Sequence, residues 1–416
     1  MKILFVGRHN NDLDHMVPIA ERLAHNPDNR VHYYIASPGL RWRSDFRLGA
    51  LLAWQTVSVV DVWDLYGRGS PLRTALAHLG RWLHEKSGAC RWLHRLPHAV
   101  SSFLFRHHDW SPALHRYLDA LQPDVIAFDH TDISLHPGPQ KRPPYGNGEI
   151  AQWGAAHRRP LVAFPHGLLL YPPEGTGPTS NRLLNRFDRV FVESERRKKL
   201  FVETGVEAQR LVVSGSARYD PLWLEVLAER LPARAAPDGP GRPFVITFFA
   251  TKMVYPYDFD RLLQWLKAVA AVEGVLLIVQ PHPRGQKAEV FRDLLTCKNV
   301  RIDVSTAAAL LINRSDAVAT LVSSVVVDAL CKNIPLLYPK FLHQVTTWFE
   351  EWQTCLTLHT QEETLAAMAA LQGGWSPAEA QREGFLRHEV YGGGDPATLA
   401  RITTTLATLA EGREQA

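Results

Sequence analysis

Short apolar runs alternate with stretches of helical spacing along almost the whole chain, and this alternation limits the possible folds more than any other feature. The apolar runs are Lys2–Val6, Val31–Ala36, Asp124–Phe128, Leu161–Phe164, Arg189–Val192, Leu211–Val213, Phe244–Phe249, Val275–Val279, Val300–Ile302, Ala317–Val322 and Pro335–Tyr338. Strands of a parallel sheet that is covered on both faces read as continuous apolar runs, and helices usually connect them. The sequence therefore predicts an α/β protein with parallel sheets.

A segment rich in proline and glycine interrupts the alternation. Residues 232–243 contain four prolines and two glycines, a composition typical of a linker. A chain of 416 residues is long enough for two or three domains. We therefore predict an N-terminal domain over residues 1–231, a C-terminal domain over residues 244–395 and a last helix over residues 396–416.

Charge and cysteine content exclude several classes of protein. The 46 basic and 42 acidic residues leave a net charge of only +4, which does not indicate a nucleic-acid binder. The four cysteines are far apart and form no CxxC pair, which argues against a structural zinc site and against a disulfide framework. No apolar stretch reaches the 18 or so residues of a membrane-spanning helix. We expect a cytoplasmic protein.

Residues 68–116 differ from the rest of the chain. They contain eight Arg and Lys residues against Glu85 and Asp109, a local net charge of +6, together with three tryptophans. Four leucines share one side of a predicted helix: Leu72, Leu76, Leu79 and Leu83. A basic amphipathic helix with tryptophan is suited to an anionic membrane surface, here the inner face of the plasma membrane. The alternative is a helical insertion whose charged side is simply solvated.

Polar side chains follow three predicted strands of the second half. The candidate phosphate-binding residues are Thr251, Lys252, His282, Arg284, Ser323 and Ser324. Ligands bind at the carboxyl ends of parallel strands, where imidazole, guanidinium, ammonium and hydroxyl groups suit a phosphate or diphosphate. His282 and Arg284 stand in a loop stiffened by two prolines, and the two serines precede an apolar helix. The sequence predicts an anion site here, although strand-ending turns and helix capping explain the same residues.

The first half offers a different set of candidates. They are His166 as a catalytic group, Gly215 and Arg218 at a turn near the cleft, and Asp14, His15 and Asp129 on the acceptor side. Asp12 follows the first strand together with Asp14 and His15. If the two halves face each other, His166 lies across from the phosphate loops, where a general base for an incoming hydroxyl is needed. Asp258 and Asp260 have the spacing of some metal-dependent sugar transferases, but they open a helix, where aspartate is favoured for capping. We expect no metal and no cofactor.

Five motifs together resemble the GT-B-fold transferases that build bacterial surface polymers. They are PHG at 165–167, FVESERRKKLF at 191–201, GSARYD at 215–220, PHPRG at 281–285 and the stretch RSDAVATLVSSVVVDALCKNIPLLYP at 314–339. The families they resemble are the CDP-glycerol glycerophosphotransferases of teichoic acid synthesis and related capsule glycosyltransferases.

The resemblance implies two facing Rossmann-like domains with a deep cleft between them. It implies that the C-terminal domain binds a nucleotide-activated donor, that His282, Ser323, Ser324, Thr251 and Lys252 contact its phosphate, and that His166 is the base. The N-terminal domain would then bind a glycan or lipid-linked acceptor. Leu321 and Val322 replace the Asp-Tyr pair frequent in glycerophosphotransferases, which favours a sugar over glycerol phosphate. The nucleotide, CMP or CDP against UDP, stays open.

Two other functions compete with transfer. The turn at 215–220 is also similar to that of UDP-N-acetylglucosamine 2-epimerases, a family that needs several acidic residues in the first half; Asp129, Asp132 and Glu193 are available. A GT-B scaffold can also serve as a glycan-binding subunit without activity. Turnover of the donor without an acceptor distinguishes the epimerase, and nucleotide binding without any turnover distinguishes the inactive subunit.

Overall fold

The computed structural model describes residues 1–68, 70–86, 96–107, 109–131, 146–171, 181–230, 241–251, 257–282 and 288–412. The chain divides into two compact units. Unit 1 comprises Met1–Gly167, Thr176–Trp223 and Tyr391–Ala416, and unit 2 comprises Leu168–Gly175 and Leu224–Val390. Most of the predicted linker, residues 232–240, lies outside the described residues.

Unit 1 is built on a parallel sheet. Its strands are β1 (Lys2–Gly7), β2 (Arg30–Ile35), β3 (Val57–Asp61), β4 (Val125–Asp129), β5 (Leu161–Phe164), β6 (Arg189–Val192) and β7 (Leu211–Val213). Within the described residues the sheet has seven strands in the order β3-β2-β1-β4-β5-β6-β7, and each printed strand pair is parallel. The central strands β4 and β5 are buried throughout, as expected for a sheet covered on both faces.

Helices follow most of these strands, and one returns from the far end of the chain. The helices up to the change of unit are α1 (Asn10–Ala24), α2 (Phe46–Leu51), α3 (Val62–Gly67), α4 (Pro71–Lys86), α5 (Leu96–His107), α6 (Ser111–Leu121), α7 (Asn147–Ala156), α8 (Glu195–Glu203) and α9 (Pro221–Arg230). The last helix of the chain, Thr398–Glu411, also belongs to unit 1. Its first turn is tied to the unit because the Leu399 amide donates to Asp220 Oδ2 at 2.8 Å.

Unit 2 repeats the same architecture. Its strands are β8 (Phe244–Phe249), β9 (Val275–Gln280), β10 (Val300–Ile302), β11 (Ala317–Thr320), β12 (Leu336–Pro339) and β13 (Leu356–Leu358). In the described part of the unit they form a six-stranded sheet in the order β10-β9-β8-β11-β12-β13, again with parallel pairs. Its helices are α10 (Phe259–Ala270), α11 (Ala308–Arg314), α12 (Val325–Cys331), α13 (Trp348–Glu351), α14 (Thr364–Gln372) and α15 (Glu379–Phe385), and the C-terminal helix of unit 1 is α16.

The predicted fold class is confirmed, because both units are Rossmann-like α/β domains with parallel sheets. None of the helices in the described ranges is long and apolar enough to cross a membrane.

Helix α4 lies in the unusual basic segment, and its packing differs from the sequence prediction. The four leucines predicted to share a face are divided: Leu76 and Leu83 are partly buried, whereas Leu72 and Leu79 are exposed. The reason is Gly80, whose missing side chain lets the helix backbone approach Trp63. A Cβ atom on Gly80 would lie 2.3 Å from the Trp63 ring, so this glycine fixes which side of α4 faces inward.

We predict that Gly80→Ala destabilises unit 1, because the added methyl must displace the buried Trp63 ring. The expected cost is about 1–3 kcal/mol of unfolding free energy, the usual range for overpacking. Gly49→Ala is the matched control, since Gly49 is also helical but has open space around it. There the substitution should stabilise by up to about 1 kcal/mol, the propensity difference between alanine and glycine. The measurement is the urea unfolding midpoint of each variant relative to the wild type. Equal shifts for the two variants would contradict the close contact between Gly80 and Trp63.

Candidate functional site

A histidine stands between two buried carboxylates at the carboxyl edge of the unit 1 sheet. His166 follows β5 by two residues, and its side chain is 26% exposed. Its Nδ1 atom lies 2.9 Å from Asp129 Oδ2 and 3.6 Å from Asp12 Oδ1. Both aspartates are almost fully buried. Of the three side chains, only the imidazole is therefore open to a ligand.

The topology of the sheet brings these three residues together. Asp129 is the last residue of β4, His166 follows β5, and Asp12 lies in the first turn of the helix that follows β1. The three strands β1, β4 and β5 are consecutive in the sheet, so their carboxyl ends are neighbours. Polar groups at this edge of a parallel sheet occupy the usual ligand-binding position of such folds.

Local hydrogen bonds fix the orientation of both carboxylates. Asp12 Oδ2 accepts hydrogen bonds from the backbone amides of Arg8 at 2.6 Å and His9 at 2.9 Å. Asp12 Oδ1 has no hydrogen-bond partner among the described residues and is the oxygen closest to His166. Asp129 Oδ1 accepts from the amide of Thr131 at 2.7 Å and from its hydroxyl. Each aspartate thus uses one oxygen for the loop and turns the other toward the imidazole.

The two carboxylates determine the protonation state of His166. Burial by itself would lower the pKa of the imidazole, but the nearby carboxylates of Asp12 and Asp129, the latter in hydrogen-bond contact, outweigh it and raise the pKa to about 9. At neutral pH the ring is therefore an imidazolium that donates a proton rather than a base that accepts one. The base role predicted from the sequence requires the neutral ring, which becomes abundant only as the pH approaches 9.

The same cluster is the candidate metal site in the described part of the chain. One ligand atom from each of Asp12, Asp129 and His166 lies within 4.8 Å of the other two. Two oxygens and one imidazole nitrogen suit a divalent cation such as Zn²⁺ or Mn²⁺. A cation and the Nδ1 proton exclude each other, because both need the same lone pair.

Asp12 is the site residue that the sequence analysis did not select, because it chose Asp14 on the same helix. Residues two apart on a helix point to opposite sides, so only one of them can face His166. Asp14 instead pairs with the guanidinium of Arg47 and, at 3.1 Å, with that of Arg218. These arginines outweigh the effect of burial and lower the pKa of the Asp14 carboxyl. A capping signal could have found Asp12, since it occupies the third position of α1 and caps the helix.

The other residues predicted as site residues in unit 1 are buried or contact neighbouring protein groups. His15 is buried, and burial together with Arg218 lowers its pKa to about 3, so the ring is neutral. Arg218 pairs with Asp14 and not with Asp220, whose carboxylate accepts from the Leu222 amide instead. Gly215 has a φ of +86°, and a Cβ atom there would lie 2.5 Å from the Thr398 hydroxyl. Their roles at a cleft or in acceptor binding stay predictions.

Of the three acidic residues that the sequence analysis associates with an epimerase, the structure describes Asp129 and Glu193. Asp129 contacts His166, as described above. Glu193 directly follows β6 and is buried, with its carboxylate 4.0 Å from the guanidinium of Arg197. Asp132 lies outside the described residues. With Asp12, which follows β1, three buried carboxylates thus lie at the carboxyl ends of β1, β4 and β6.

Unit 2 brings its predicted phosphate-binding loops to neighbouring strand ends. Thr251 follows β8, His282 follows β9, and Ser323 and Ser324 follow β11, and β9, β8 and β11 are consecutive in the sheet. Thr251 Oγ1 accepts a hydrogen bond from the Val322 amide at 3.3 Å, which links two of these loops. Lys252 and Arg284 lie outside the described residues. Phosphate binding by this set stays a prediction.

No family model and no curated protein matches the sequence. Solved structures do match the fold. A UDP-GlcNAc 2-epimerase from Neisseria meningitidis, bound to UDP-GlcNAc, is 13% identical, with 98% of this chain and 100% of that chain covered and a TM-score of 0.61. The enzyme from Methanocaldococcus jannaschii, with UDP-GlcNAc and UDP, is 14% identical with a TM-score of 0.60 over the same shares.

Anabaena HepE in complex with UDP and glucose is a third similar structure, 16% identical, with 98% and 100% of the two chains covered and a TM-score of 0.54. At these identities the likeness establishes the fold alone. The chain therefore shares the two-domain, Rossmann-like architecture of proteins that bind UDP-sugars. The sequence comparisons with family models and curated proteins do not support the CDP-glycerol transferases in particular.

We predict that the pKa of His166 falls from about 9 toward the ordinary histidine value when either carboxylate is neutralised. Asp129→Asn should have the larger effect, since its oxygen is 2.9 Å from Nδ1 against 3.6 Å for Asp12. The measurement is an NMR titration of the imidazole Hε1 signal, assigned by its loss in His166→Gln. Asp260→Asn, an exposed change in unit 2, is the control and should leave the titration unchanged. A wild-type midpoint near 6.5 would contradict the charge pair.

Proposed function

We propose that this protein is an enzyme acting on a UDP-activated sugar and that 2-epimerisation is the reaction that its site supports best. The observation that carries the proposal is the His166 imidazolium held between the buried carboxylates of Asp12 and Asp129. The similarity in fold to UDP-GlcNAc 2-epimerases over nearly the whole chain supports it.

The chemistry of the proposed reaction needs proton transfer in both directions. Inversion at C2 of UDP-GlcNAc breaks the C2–H bond on one face as UDP leaves C1, and the proton is taken by a base other than His166. A new C2–H bond then forms on the opposite face as UDP returns to C1. At neutral pH His166 is protonated and partly exposed, so it is suited to the step in which a proton is given up. Asp12 and Asp129 hold the ring in place and keep it charged.

In this proposal unit 2 binds the UDP portion of the substrate. Thr251, His282, Ser323 and Ser324 supply hydroxyl and imidazole groups at three adjacent strand ends. Hydroxyl and backbone N–H groups at such an edge can donate hydrogen bonds to the diphosphate. The task of unit 2 is thus recognition, whereas proton transfer belongs to unit 1.

A second candidate is transfer of the sugar to a glycan or lipid-linked acceptor in the synthesis of a surface polysaccharide. The observation that favours it is the hydrogen bond between His166 and Asp129, since a histidine oriented by an aspartate is a common base for a hydroxyl. Anabaena HepE, whose structure contains UDP and glucose, supports it as well. In this reaction His166 must be neutral, so the two candidates differ in the protonation state that is active.

The first experiment follows UDP-GlcNAc by proton NMR in D₂O with the wild-type protein and without any acceptor. We expect the C2 hydrogen to exchange for deuterium and the signals of the 2-epimer to appear. His166→Gln should slow this reaction by about 100-fold or more, the usual contribution of a general acid or base. The rate should fall as the pH rises through about 9, where the imidazolium loses its proton. EDTA should leave the rate unchanged.

The outcomes separate the candidates. Release of UDP only when a glycan acceptor is added, with a rate that increases toward pH 9 and no C2 exchange, replaces epimerisation by transfer. Binding of UDP without any turnover identifies an inactive scaffold. Absence of binding to UDP, CDP and their sugar derivatives in calorimetry overturns the proposal of a nucleotide-sugar enzyme. Asp260→Asn again serves as the control variant.

For the nucleotide site we predict that His282→Ala weakens UDP binding by about tenfold or more, because one charge-assisted hydrogen bond to phosphate is lost. The matched control is His359→Ala, an exposed histidine of the same unit. Isothermal titration calorimetry with UDP gives both dissociation constants. Equal affinity in the two variants would remove His282 from the phosphate site without affecting the assignment of His166.

A further inference from the structure

Unit 1 exposes large apolar side chains on α4 and α5. Leu72, Leu79 and Trp82 of α4 and Leu96 and Phe103 of α5 are each between 44% and 69% exposed. We call these five residues the α4–α5 face. Single exposed leucines are common on protein surfaces, but several large apolar residues on two helices in contact form a patch, and patches mark interaction surfaces.

The spacing on α4 shows that the exposure is a property of one side of the helix. Leu72, Ala75, Leu79, Trp82 and Lys86 recur every three or four residues, and all five are exposed. The opposite side carries the small residues Ala77 and Gly80 together with His84, and all three are buried. The helix thus turns its small residues inward and Leu72, Leu79 and Trp82 outward, with Leu76 and Leu83 partly buried between the two sides.

Rotation of the helix cannot hide this face. Gly80 approaches the Trp63 ring so closely that no side chain fits between them, and Trp63 is itself 2% exposed. Trp63 is also held by a hydrogen bond from its indole N–H to the Pro38 carbonyl at 3.0 Å. The inward side of α4 is therefore fixed, and the apolar side must face outward.

The charge around this face is positive. Arg68, Arg73 and Lys86 lie on α4 or directly before it, where Glu85 is the acidic residue of the helix. Residues 68–116 carry +6 in sequence, whereas the whole chain carries +4, so the remainder has a net charge of −2. Arg41 and Arg43 line a cavity of about 330 Å³ with Trp42, Ser44 and Glu85, the penultimate residue of α4. Positive charge is thus concentrated near the apolar face.

We propose that the α4–α5 face docks unit 1 onto an anionic membrane surface. Helices that lie in the membrane interface combine an exposed apolar side, often with tryptophan, and flanking basic residues, and this face has all three features. The leucines and Trp82 would enter the boundary between headgroups and acyl chains, and the basic side chains would contact lipid phosphates. This inference is independent of the reaction that the enzyme catalyses.

The test is flotation of the full-length protein with lipid vesicles. We expect it to float with phosphatidylcholine vesicles that contain about 30 mol% phosphatidylglycerol, and to float much less with pure phosphatidylcholine. Addition of about 0.5 M NaCl should reduce the binding, because salt screens the lipid charge. The double variant Leu79→Ser/Trp82→Ser should partition at least about tenfold more weakly than the wild type.

The control variant is Leu365→Ser, which removes a similarly exposed leucine, 67% exposed, from α14 of unit 2. It should bind vesicles like the wild type. Because all substituted residues are exposed, the variants are expected to fold, and unchanged UDP affinity and unfolding midpoint verify this. Both measurements remain interpretable whether the enzyme is an epimerase or a transferase.

Two results would overturn the proposal. Equal binding of the double variant and the wild type to anionic vesicles would place the membrane contact elsewhere. A wild-type protein that ignores all vesicles but is dimeric in sedimentation, and becomes monomeric in the double variant, would assign the face to a second copy of this chain.

Discussion

The contact between His166 and two buried carboxylates constrains the centre of unit 1. A buried carboxylate without a compensating partner costs several kcal/mol. Asp12 and Asp129 meet part of this cost with backbone amides, and the imidazolium supplies the positive charge that both share. The start of α1 and the carboxyl ends of β4 and β5 are therefore linked through the contacts of the His166 imidazolium with Asp12 and Asp129. The same two negative charges determine the chemistry of His166. They hold the imidazole in place, and they keep it protonated at neutral pH, so that it loses its proton only as the pH approaches 9.

Much of the fold can be predicted from the sequence. The exceptions depend on contacts between residues far apart in the chain, which the pattern of apolar residues does not show. Eleven of the thirteen described strands appear in the sequence as apolar runs because both faces of each sheet are covered, whereas β3 and β13, which are mostly only partly buried, do not. The first turn of α1 does not, because Asn10, Asn11 and Asp12 are polar and show no apolar period. The sequence consequently does not distinguish Asp12 from its neighbour Asp14, and only the structure shows that Asp12 is the one beside His166. On α4 the leucine pattern predicts an apolar side, but only the contact of Gly80 with Trp63 decides which leucines face solvent.

The two units contribute different chemistry to the proposed function. The described site residues of unit 1 are titratable, and their charges are adjusted by burial and by one another. Those of unit 2 are mainly hydroxyl groups at strand ends, whose protonation does not change near neutral pH. Such a division separates recognition of the nucleotide from the reaction at the sugar. It explains in physical terms why one architecture can serve epimerases and transferases alike.

Helix α4 shows that an exposed apolar surface can be a consequence of tight packing. The close approach at Gly80 stabilises the inner side, and it leaves Leu72, Leu79 and Trp82 no inward position, whereas Leu76 and Leu83 are partly buried. Replacing them by polar residues would not disturb that packing, so the fold of unit 1 does not require Leu72, Leu79 or Trp82 to be apolar. Their apolar character needs another reason, and an anionic membrane surface supplies one that also accounts for the basic residues beside them. The face and His166 belong to the same unit, so docking would hold the proton-transferring group in the protein domain that is anchored at the membrane.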